Sequence, residues 1–389
     1  MVSLSYCLSD GSLKFPTEVI LEDPHNNITE YIFEKIGVDL HRKPEHPIGI
    51  LKNAILGYFE NKFGESSFRM FDDLNPVVTS YENFDSVLVP ENHVSRSMND
   101  TYYVTSDRVL RCHTSAHQLS LLKKGERKFL VAGDVYRRDS IDATHFPVFH
   151  QMEGVRVYTK EELEQSALPP KEFVSQELKR TLEGLALHLF GDVELRWVDA
   201  YFPFTDPSYE LEIFFKGQWM EVLGCGVMEP KILNNADLNE ERAWAFGLGL
   251  ERLAMVLFDI PDIRLFWTDD SRFTKQFEPK MFRSGGTGMR KFKSYSKYPP
   301  CFKDVSFWLP DTSEFTENSL CEIVRSVAGG LVEEVKLIDD FRNPKTGKVS
   351  NCFRITYRSM DRSLTDEEIN ELQDSVRAQM TEKLHVTLR

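Results

Sequence analysis

The sequence predicts an α+β fold in two parts, a large body around a mostly antiparallel sheet and a small C-terminal βαββαβ unit. The chain has 389 residues, more than one hydrophobic core usually serves. Its strand-like segments come in runs with helical segments between them, which is typical of α+β domains. A stretch rich in Gly, Ser, Lys and Pro at 284–300 separates the two parts.

The N-terminal segment 1–45 is polar and interrupted by prolines, so we interpret it as an extension. Its first 25 residues hold four acidic side chains and no arginine, unlike a targeting presequence. A helix is expected at PIGILKNAILGYFENKF, where apolar residues recur at helical spacing. Strand-like runs follow at PVVTSYENF, DTYYVTSDRVLRCH, KFLVAGDVYRR and VFHQMEGVRVY.

The second half of the body begins with a helix pattern at EFVSQELKRTLEGLALHLFG. Strands are expected at VELRWVDAYFP, at SYELEIFFKGQWMEVLGCGVM and around WAFGLGLERLAMVLF, where the end of the segment leads into an aliphatic helix. These patterns set the predicted boundaries: a large body domain at 46–283 and a mobile linker at 284–297.

The C-terminal unit, 298–389, has the element order of a ferredoxin-like split motif. CFKDVSFWL is read as a strand, SLCEIVRSVAGGLVEEV as a helix, and VEEVKLIDDF and NCFRITYRS as a hairpin around NPKTGK. A second helix opens with Thr365 and Glu368 as a capping box, and HVTLR is the last strand. The unit is expected to fold as an independent small domain.

Composition excludes several functional classes. The formal net charge is −14, and residues 291–389 are nearly balanced with 15 Lys and Arg against 16 Asp and Glu. The acidic body argues against broad non-specific nucleic-acid binding, although a local basic face remains open. No apolar run approaches the roughly 20 residues that cross a bilayer. The six cysteines lack metal-ligand spacing, so no zinc site is expected.

The stretch GDVYRRDSIDATHFPVFHQMEG, 133–154, concentrates polar groups that are costly to bury. We expect strands at 136–139 and 149–153. The planar fork of Arg137 suits phosphate oxygens. Gln151 and Glu153 would share one strand face, and a carboxylate beside an amide suits an ammonium group. The alternative is a solvated surface hairpin with ion pairs.

Two further clusters have both a functional and a structural interpretation. RCHTSAHQ, 111–118, gathers polar side chains before a helical pattern, and Thr114 or Ser115 could simply cap that helix. In YFPFTDP, 201–207, Phe202 and Phe204 lie two residues apart, so both rings face the same side. They could hold an aromatic ligand edge to face, or they could belong to the core.

A last cluster combines glycines with charged residues. In WMEVLGCGVMEP, Glu221 lies in an apolar strand, a poor position for a carboxylate without a cation or donor. WAFGLGLERLAMV leads into a helix with Arg252, and its glycines do not match the GxGxxG spacing of dinucleotide sites. Taken together, the clusters offer two phosphate-binding arginines, an ammonium site, an aromatic slot and a metal carboxylate. That set fits an amino acid plus a nucleotide.

These residues resemble the single-chain, organelle-type phenylalanyl-tRNA synthetases, which are class II aminoacyl-tRNA synthetases, over nearly the full length. FDDLNPVVTSYENFDSVLVPENHVSR is similar to motif 1, with Pro76 as its proline. The hairpin is similar to motif 2, with Arg137 as its arginine, and AFGLGLERL to motif 3, with Arg252. HTSAHQ, YFPFTDP and EVLGCGVMEP are similar to signatures of this synthetase in particular.

The resemblance implies roles for the residues. Arg137 would bind the ATP α-phosphate, Phe149 and Arg252 would sandwich the adenine, and His145 would belong to the ATP-side loop. Glu221 would be a ligand of the nucleotide or of Mg²⁺. Ala245 would set the space at the para position of the substrate ring. The side chains implied around phenylalanine are His113, Ser115, Gln118, Thr144, Gln151, Glu153, Phe202, Phe204, Gly224, Ala245 and Phe246.

The implied reaction is ATP-dependent formation of phenylalanyl-adenylate, followed by transfer to the 2′-hydroxyl of the terminal adenosine of tRNA(Phe). Without a protein nucleophile, catalysis would rest on positioning and charge stabilisation. We expect weak activation of tyrosine, because apolar pockets reject an added hydroxyl only about 100-fold, and no separate editing domain. A non-catalytic paralogue and a ligase for another acid, such as a biotin-type ligase, are the alternatives.

The resemblance also implies an anticodon-binding role for the C-terminal domain, a monomer without a second subunit type, and a place in the mitochondrial matrix or plastid stroma. No membrane association is implied. Candidate tRNA contacts are basic residues of the C-terminal part, which are otherwise solvated surface charge: Lys293, Lys297, Arg342, Lys345, Lys348, Arg354 and Arg358.

Overall fold

The computed structural model describes residues 23–277, 291–293, 298–310 and 315–389. The first 22 residues and most of the predicted linker lie outside the described residues. No helix within the described part of the chain is long and apolar enough to cross a membrane. The α+β class predicted from the sequence is confirmed.

The body contains ten strands and nine α-helices in the described residues. The strands are β1 (Arg69–Phe71), β2 (Val77–Thr79), β3 (Tyr103–Thr105), β4 (Arg108–Leu110), β5 (Lys128–Tyr136), β6 (Val148–Tyr158), β7 (Glu194–Phe202), β8 (Thr205–Phe215), β9 (Gln218–Met228) and β10 (Arg242–Gly249). The helices are α1 (Glu30–Phe33), α2 (Pro47–Phe63), α3 (Ser80–Asn83), α4 (Gln118–Lys123), α5 (Lys160–Glu164), α6 (Pro170–Phe190), α7 (Pro230–Asn234), α8 (Leu250–Phe258) and α9 (Ser271–Thr274).

The central sheet has seven strands in the order β1-β5-β6-β10-β9-β8-β7. Every neighbouring pair is antiparallel except β1 with β5. A separate three-stranded sheet, β2-β4-β3, lies between β1 and β5 in the chain. The strands β6 and β10, which carry residues of predicted motifs 2 and 3, are neighbours in the middle of this sheet. The residues of these two motifs therefore lie in the same central region.

The main core forms where α2, α6 and α8 pack on the central sheet. The rings of Phe59 and Phe246 stack there with centroids 5.6 Å apart. Gly154 is required opposite Phe246, because a Cβ at this position would lie 2.3 Å from the ring. Apolar residues of the predicted N-terminal extension, including Ile32 and Leu40, are buried in this core, so residues 30–42 pack on the body.

Two predicted strands are shorter than expected. The run PVVTSYENF forms a strand only at 77–79, because Thr79 and Glu82 make a capping box that begins α3. The predicted strand at 136–139 is wrong beyond Tyr136, where β5 ends. Arg137 still bonds to the carbonyl oxygen of Pro147, but the chain then leaves the sheet as a loop, residues 137–147.

The C-terminal domain is confirmed as a ferredoxin fold. It consists of β11 (Cys301–Trp308), α10 (Glu317–Ala328), β12 (Val332–Arg342), β13 (Val349–Tyr357), α11 (Asp366–Leu384) and β14 (Thr387–Leu388), with strand order β12-β13-β11-β14. The capping box of Thr365 and Glu368 begins α11 as predicted. The helix predicted to extend to residue 335 ends at Ala328, because Gly329 adopts a φ of 54° and turns the chain into β12.

The loop 137–147 is held by the C-terminal domain. Ile141 is buried in the core of that domain, and the amide of Val335 donates to its carbonyl oxygen at 3.0 Å. The buried guanidinium of Arg325 donates to the carbonyl oxygens of Asp139 and Ser140. The loop that follows the predicted phosphate-binding arginine is therefore docked on a domain about 180 residues later in the chain.

Candidate active site

A cavity of about 780 Å³ opens on the central sheet between β6, β9, β10 and the loop 137–147. Asn318 of the C-terminal domain reaches its rim. All sixteen site residues predicted in the body line it: His113, Ser115, Gln118, Arg137, Thr144, His145, Phe149, Gln151, Glu153, Phe202, Phe204, Glu221, Gly224, Ala245, Phe246 and Arg252. The sequence clusters thus come together in one place.

The floor of the cavity carries a buried carboxylate. Glu153 lies on β6 and accepts a hydrogen bond from the hydroxyl of Ser115 through Oε2. Its Oε1 and the Oε1 of Gln118 are buried without a hydrogen-bond partner in the described structure. Burial raises the pKa of Glu153 to about 7, against the opposing effects of Ser115 and Gln118. Each of these two buried oxygens lacks a donor, and a cationic donor such as an ammonium group would supply one.

Two parallel rings form the wall beside this carboxylate. Phe202 at the end of β7 and Phe204 just beyond it stack with centroids 5.8 Å apart and planes 7° apart. Both rings line the cavity, and Phe204 also packs against two of the apolar cores of the body, so the two interpretations hold together for this residue. Gly224 makes room for them, because a Cβ there would lie 2.7 Å from the ring of Phe202. Ala245 and Phe246 of β10 complete an apolar slot.

Ser115 does not cap a helix, which removes the structural alternative for its cluster. Residues 114–117 form a 3-10 turn without a side-chain cap, and α4 follows without one. The turn instead directs Ser115 at Glu153. His113 lies beside it with Nδ1 unpaired, and burial, with Arg137 nearby, lowers its pKa to about 4. His113 is therefore neutral at physiological pH.

The opposite end of the cavity is basic and aromatic. The guanidinium of Arg137 lies 5.1 Å from the ring centre of Phe149, and its Nε donates to the carbonyl oxygen of Cys112 at 2.9 Å. Arg137 forms no ion pair with any described residue, and burial lowers its pKa. A half-buried guanidinium without a counter-ion is a site for an anion. The alternative of a solvated surface hairpin is wrong, because β5 and β6 are mostly buried.

Arg252 and Glu221 stand at the mouth of the cavity. Arg252 is exposed on the first turn of α8, with its Nη1 3.5 Å from Oε2 of Glu221 on β9. Glu210 on β8 lies close enough that Glu221, together with burial, raises its pKa. The described residues contain no group of three or more His, Cys, Asp or Glu side chains that could hold a metal ion alone. One or two carboxylates instead fit Mg²⁺ that is bound largely through substrate phosphates.

The loop 137–147 closes the cavity with a small hydrogen-bonded turn. Asp142 accepts bonds from the backbone amides of Thr144 and His145 and from the ring of His145 at 2.6 Å. These bonds lower the pKa of Asp142. Thr144 and His145 are exposed, and both line the cavity.

A buried ion pair and a buried hydrogen-bonded His–Glu pair beneath the site escaped prediction. Arg111 pairs with Asp134 at 2.6 Å in space that opens because residue 133 is glycine. Glu251 on α8 accepts from the backbone amide of His150 at 2.7 Å and from its ring at 2.6 Å. His150 separates Phe149 from Gln151, and Glu251 precedes Arg252. A charged residue within an apolar segment, as in GLGLER, indicates a buried charge with a partner, and this pattern could have predicted both pairs.

Those predicted tRNA contacts that the structure describes lie on the C-terminal domain or just before it and do not line the cavity. Arg354 makes two 2.8 Å bonds to Asp304, and Arg358 bonds to Glu333 at 2.8 Å. Lys297 lies outside the described residues. Arg342, Lys345 and Lys348 form no ion pair within the described chain, and neither does Lys293.

Comparison with known proteins identifies both domains. Residues 42–277 match the family model described as tRNA synthetases class II core domain (F), and residues 296–389 match the ferredoxin-fold anticodon binding domain. The family models thus divide the chain where the fold does.

Curated relatives are similar over nearly the whole chain. The chloroplastic/mitochondrial phenylalanine–tRNA ligase of Arabidopsis thaliana is 61% identical, over 95% of this chain and 84% of the relative. The mitochondrial enzyme of Dictyostelium discoideum is 48% identical, over 98% and 92%. That of Mus musculus is 47% identical, over 94% and 86%. The chain belongs to the phenylalanine–tRNA ligase family of class II tRNA synthetases.

Proposed function

We propose that this chain is an ATP-dependent ligase that joins L-phenylalanine to tRNA(Phe). One observation carries the proposal: two buried, unpaired acceptors lie beside a pair of parallel rings in the same cavity as an unpaired arginine. An amino acid with an aromatic side chain matches the first two features, and a phosphate matches the third. Membership of the family supports the same assignment.

In the proposed ground state the substrate ammonium binds Glu153 and Gln118, with Gln151 nearby. Its ring enters the slot of Phe202, Phe204 and Ala245. This orientation leaves the carboxylate pointing along the cavity toward Arg137. Adenine would lie between Phe149 and Arg252, which places the α-phosphate at Arg137 for in-line attack by the substrate carboxylate.

The chain then accelerates the step by positioning and by charge. Arg137 stabilises the negative charge that develops on the α-phosphate, and Arg252 neutralises the departing pyrophosphate. Holding both reactants in one cavity replaces a bimolecular encounter by a local one. No side chain in the cavity is required as a nucleophile or general base, because the attacking carboxylate is already ionised.

A bound Mg²⁺ would supply further charge neutralisation on the phosphates. Glu221 would hold it, with Glu210 beside it, in keeping with the raised pKa of Glu210. Nη1 of Arg252 lies 3.5 Å from Oε2 of Glu221, so the carboxylate that would hold the ion is now next to a guanidinium.

The second half-reaction needs the tRNA, and the C-terminal domain would bind it through the anticodon. We propose that a single chain suffices, that the 2′-hydroxyl of the terminal adenosine accepts the acyl group, and that the enzyme serves organellar protein synthesis. The names of the relatives, which are mitochondrial or chloroplastic, support that location. We also propose the domain boundaries: a catalytic domain at 46–283 and an anticodon-binding domain at 298–389.

ATP–pyrophosphate exchange with each of the twenty amino acids, without tRNA, tests the proposal. Exchange should be led by phenylalanine, with a weak tyrosine signal of about 1% in kcat/KM. Protein that binds tRNA but is silent with all twenty would be a non-catalytic paralogue. Exchange led by another amino acid would contradict the assignment of the ring slot.

A further inference from the structure

One buried side chain beneath the cavity joins separate segments of the body. Arg111 is 1% exposed and donates from Nε to the carbonyl oxygen of Asp134 at 2.7 Å and from Nη2 to its carboxylate at 2.6 Å. Its Nη1 donates to the carbonyl oxygen of Leu74 at 3.0 Å and lies 2.8 Å from Nε2 of His117. Because a guanidinium only donates, Nε2 of His117 is the acceptor and the ring proton is on Nδ1. All three nitrogens of the guanidinium are thus engaged.

The backbone around Arg111 leads directly to the phosphate end of the cavity. The amide of Arg111 donates to the carbonyl oxygen of Pro76 at 2.8 Å, and its carbonyl oxygen accepts from the amide of Tyr136 at 2.9 Å. The carbonyl oxygen of the next residue, Cys112, accepts from Nε of Arg137 at 2.9 Å. The segment that Arg111 fixes therefore holds the guanidinium of Arg137 in place.

The side chain of Arg111 leads to the ammonium end of the cavity. His117, which it contacts, is the last residue of the 3-10 turn 114–117. This turn carries Ser115, the hydrogen-bond donor to Glu153, and the next residue is Gln118. Arg111 itself does not line the cavity. It lies where the supports of the two ends meet.

The shape of the arginine fork, and not only its charge, fits this place. Residue 133 is glycine, and a Cβ there would lie 2.0 Å from Nη2 of Arg111 and 2.8 Å from its Cζ. A lysine would neutralise Asp134 equally well, but a single ammonium group cannot contact carbonyl oxygens, a carboxylate and an imidazole in these separate directions. The contacts therefore indicate a role in geometry beyond neutralising a buried carboxylate.

We propose that Arg111 is a positioning residue that sets the distance between the ammonium site at Glu153 and the phosphate-binding Arg137. This inference rests on the proposed function, which supplies both substrates. The attacking carboxylate and the α-phosphate are held by these two ends, so the reaction requires their correct separation, whereas binding of either substrate alone does not. A misplacement of about 1 Å far from the reacting atoms can cost about 100-fold in rate. The loss should therefore appear in the rate of adenylate formation rather than in KM.

Gly133→Ala in the full chain tests the role without changing any charge, because the added methyl group must displace the guanidinium of Arg111. The single-turnover rate of phenylalanyl-adenylate formation should fall at least about tenfold, while KM for phenylalanine and for ATP should each change by less than about threefold. Arg111→Lys should show the same split, because it keeps the charge beside Asp134 and loses the fork.

Two controls separate positioning from general damage. Lys52→Met breaks another buried contact of the body, the pair of Lys52 with Asp72 at 2.5 Å, which does not line the cavity. It should lower the melting temperature and leave the rate unchanged. In protein that carries Arg111→Met, Gly133→Ala should cause no further loss of rate, because the group that the methyl displaces is gone.

Calorimetric counting of phenylalanine sites per chain corrects each rate for the folded fraction. Corrected rates equal to that of the parent in Gly133→Ala and Arg111→Lys would overturn the inference, as would independent, additive losses in the double variant. A rise in KM that accounts for the whole loss would also overturn it. Absence of adenylate formation in the parent protein would instead contradict the proposed function.

Discussion

The two ends of the cavity are built differently. The amino-acid end stands on the central sheet, where Glu153 and its partner Ser115 are buried and fixed by elements of one domain. The nucleotide end includes the loop 137–147, whose position depends on Ile141 and Arg325 at the interface with the other domain. The comparison teaches that one site is preorganised by its own sheet at one end and by domain docking at the other.

The largest expected effect concerns the amino-acid end of the cavity, which stands on the central sheet. Glu153→Gln should raise KM for phenylalanine at least 100-fold, because loss of one partner from a buried ion pair costs about 3–5 kcal/mol. KM for ATP should change little. Exchange kinetics with each substrate varied separately measure both values, and Glu177→Gln, in an exposed pair with Arg180, is the control. Equal losses for both substrates would show that the two ends are not independent.

The two hydrogen bonds from His150 to Glu251 should matter mainly for ATP binding at the nucleotide end of the cavity. Glu251→Gln keeps an acceptor for the backbone amide of His150 and weakens the bond to its ring, a bond to a charged group worth about 1.5–3 kcal/mol. KM for ATP should rise about tenfold, because Phe149 and Arg252 lose their mutual alignment. The effect on KM for phenylalanine should be smaller. A larger effect on phenylalanine would contradict this role.

Acid should weaken phenylalanine binding selectively. Glu153, with its pKa raised by burial to about 7, becomes neutral below that pH and no longer attracts an ammonium group. The value of kcat/KM for phenylalanine at saturating ATP should fall about tenfold per pH unit below 7. The raised pKa also means that this group stabilises the free fold at low pH and that this contribution is lost between about pH 4.5 and 7. Glu153→Gln should remove both dependences.

The smallest expected effect concerns the nucleotide end of the cavity, where the C-terminal domain holds the loop 137–147. Arg325→Ala removes the bonds to the loop and leaves buried Glu322 without its cationic partner, with only the hydroxyl of Tyr102 still donating to it. KM for ATP should rise about threefold, and small-angle scattering should show a larger radius of gyration as the domains separate. Arg362→Ala, which breaks an exposed pair with Glu368, is the control. An unchanged radius and unchanged KM would mean that the loop holds its position without the second domain.

The difference between the two ends of the cavity also explains which features could be predicted from the sequence alone. Glu153, Gln151 and the rings of Phe202 and Phe204 followed from strand periodicity, because alternation assigns side chains to faces. The end of β5 at Tyr136 did not, since the loop departs there to meet residues about 180 positions away. Such docking leaves no local pattern. The pairing of Arg111 with Asp134 and that of His150 with Glu251 were missed because each pair joins two separate segments, and each segment shows only half of it.

The burial of Ile141 has a consequence for how the molecule melts. A residue of the larger domain completes the core of the smaller one, so the smaller domain separated from the body would keep a vacant hydrophobic socket. Heat should therefore unfold both domains in one cooperative transition rather than in two. Calorimetry would record a single peak whose enthalpy corresponds to the whole chain, although the family models divide it in two.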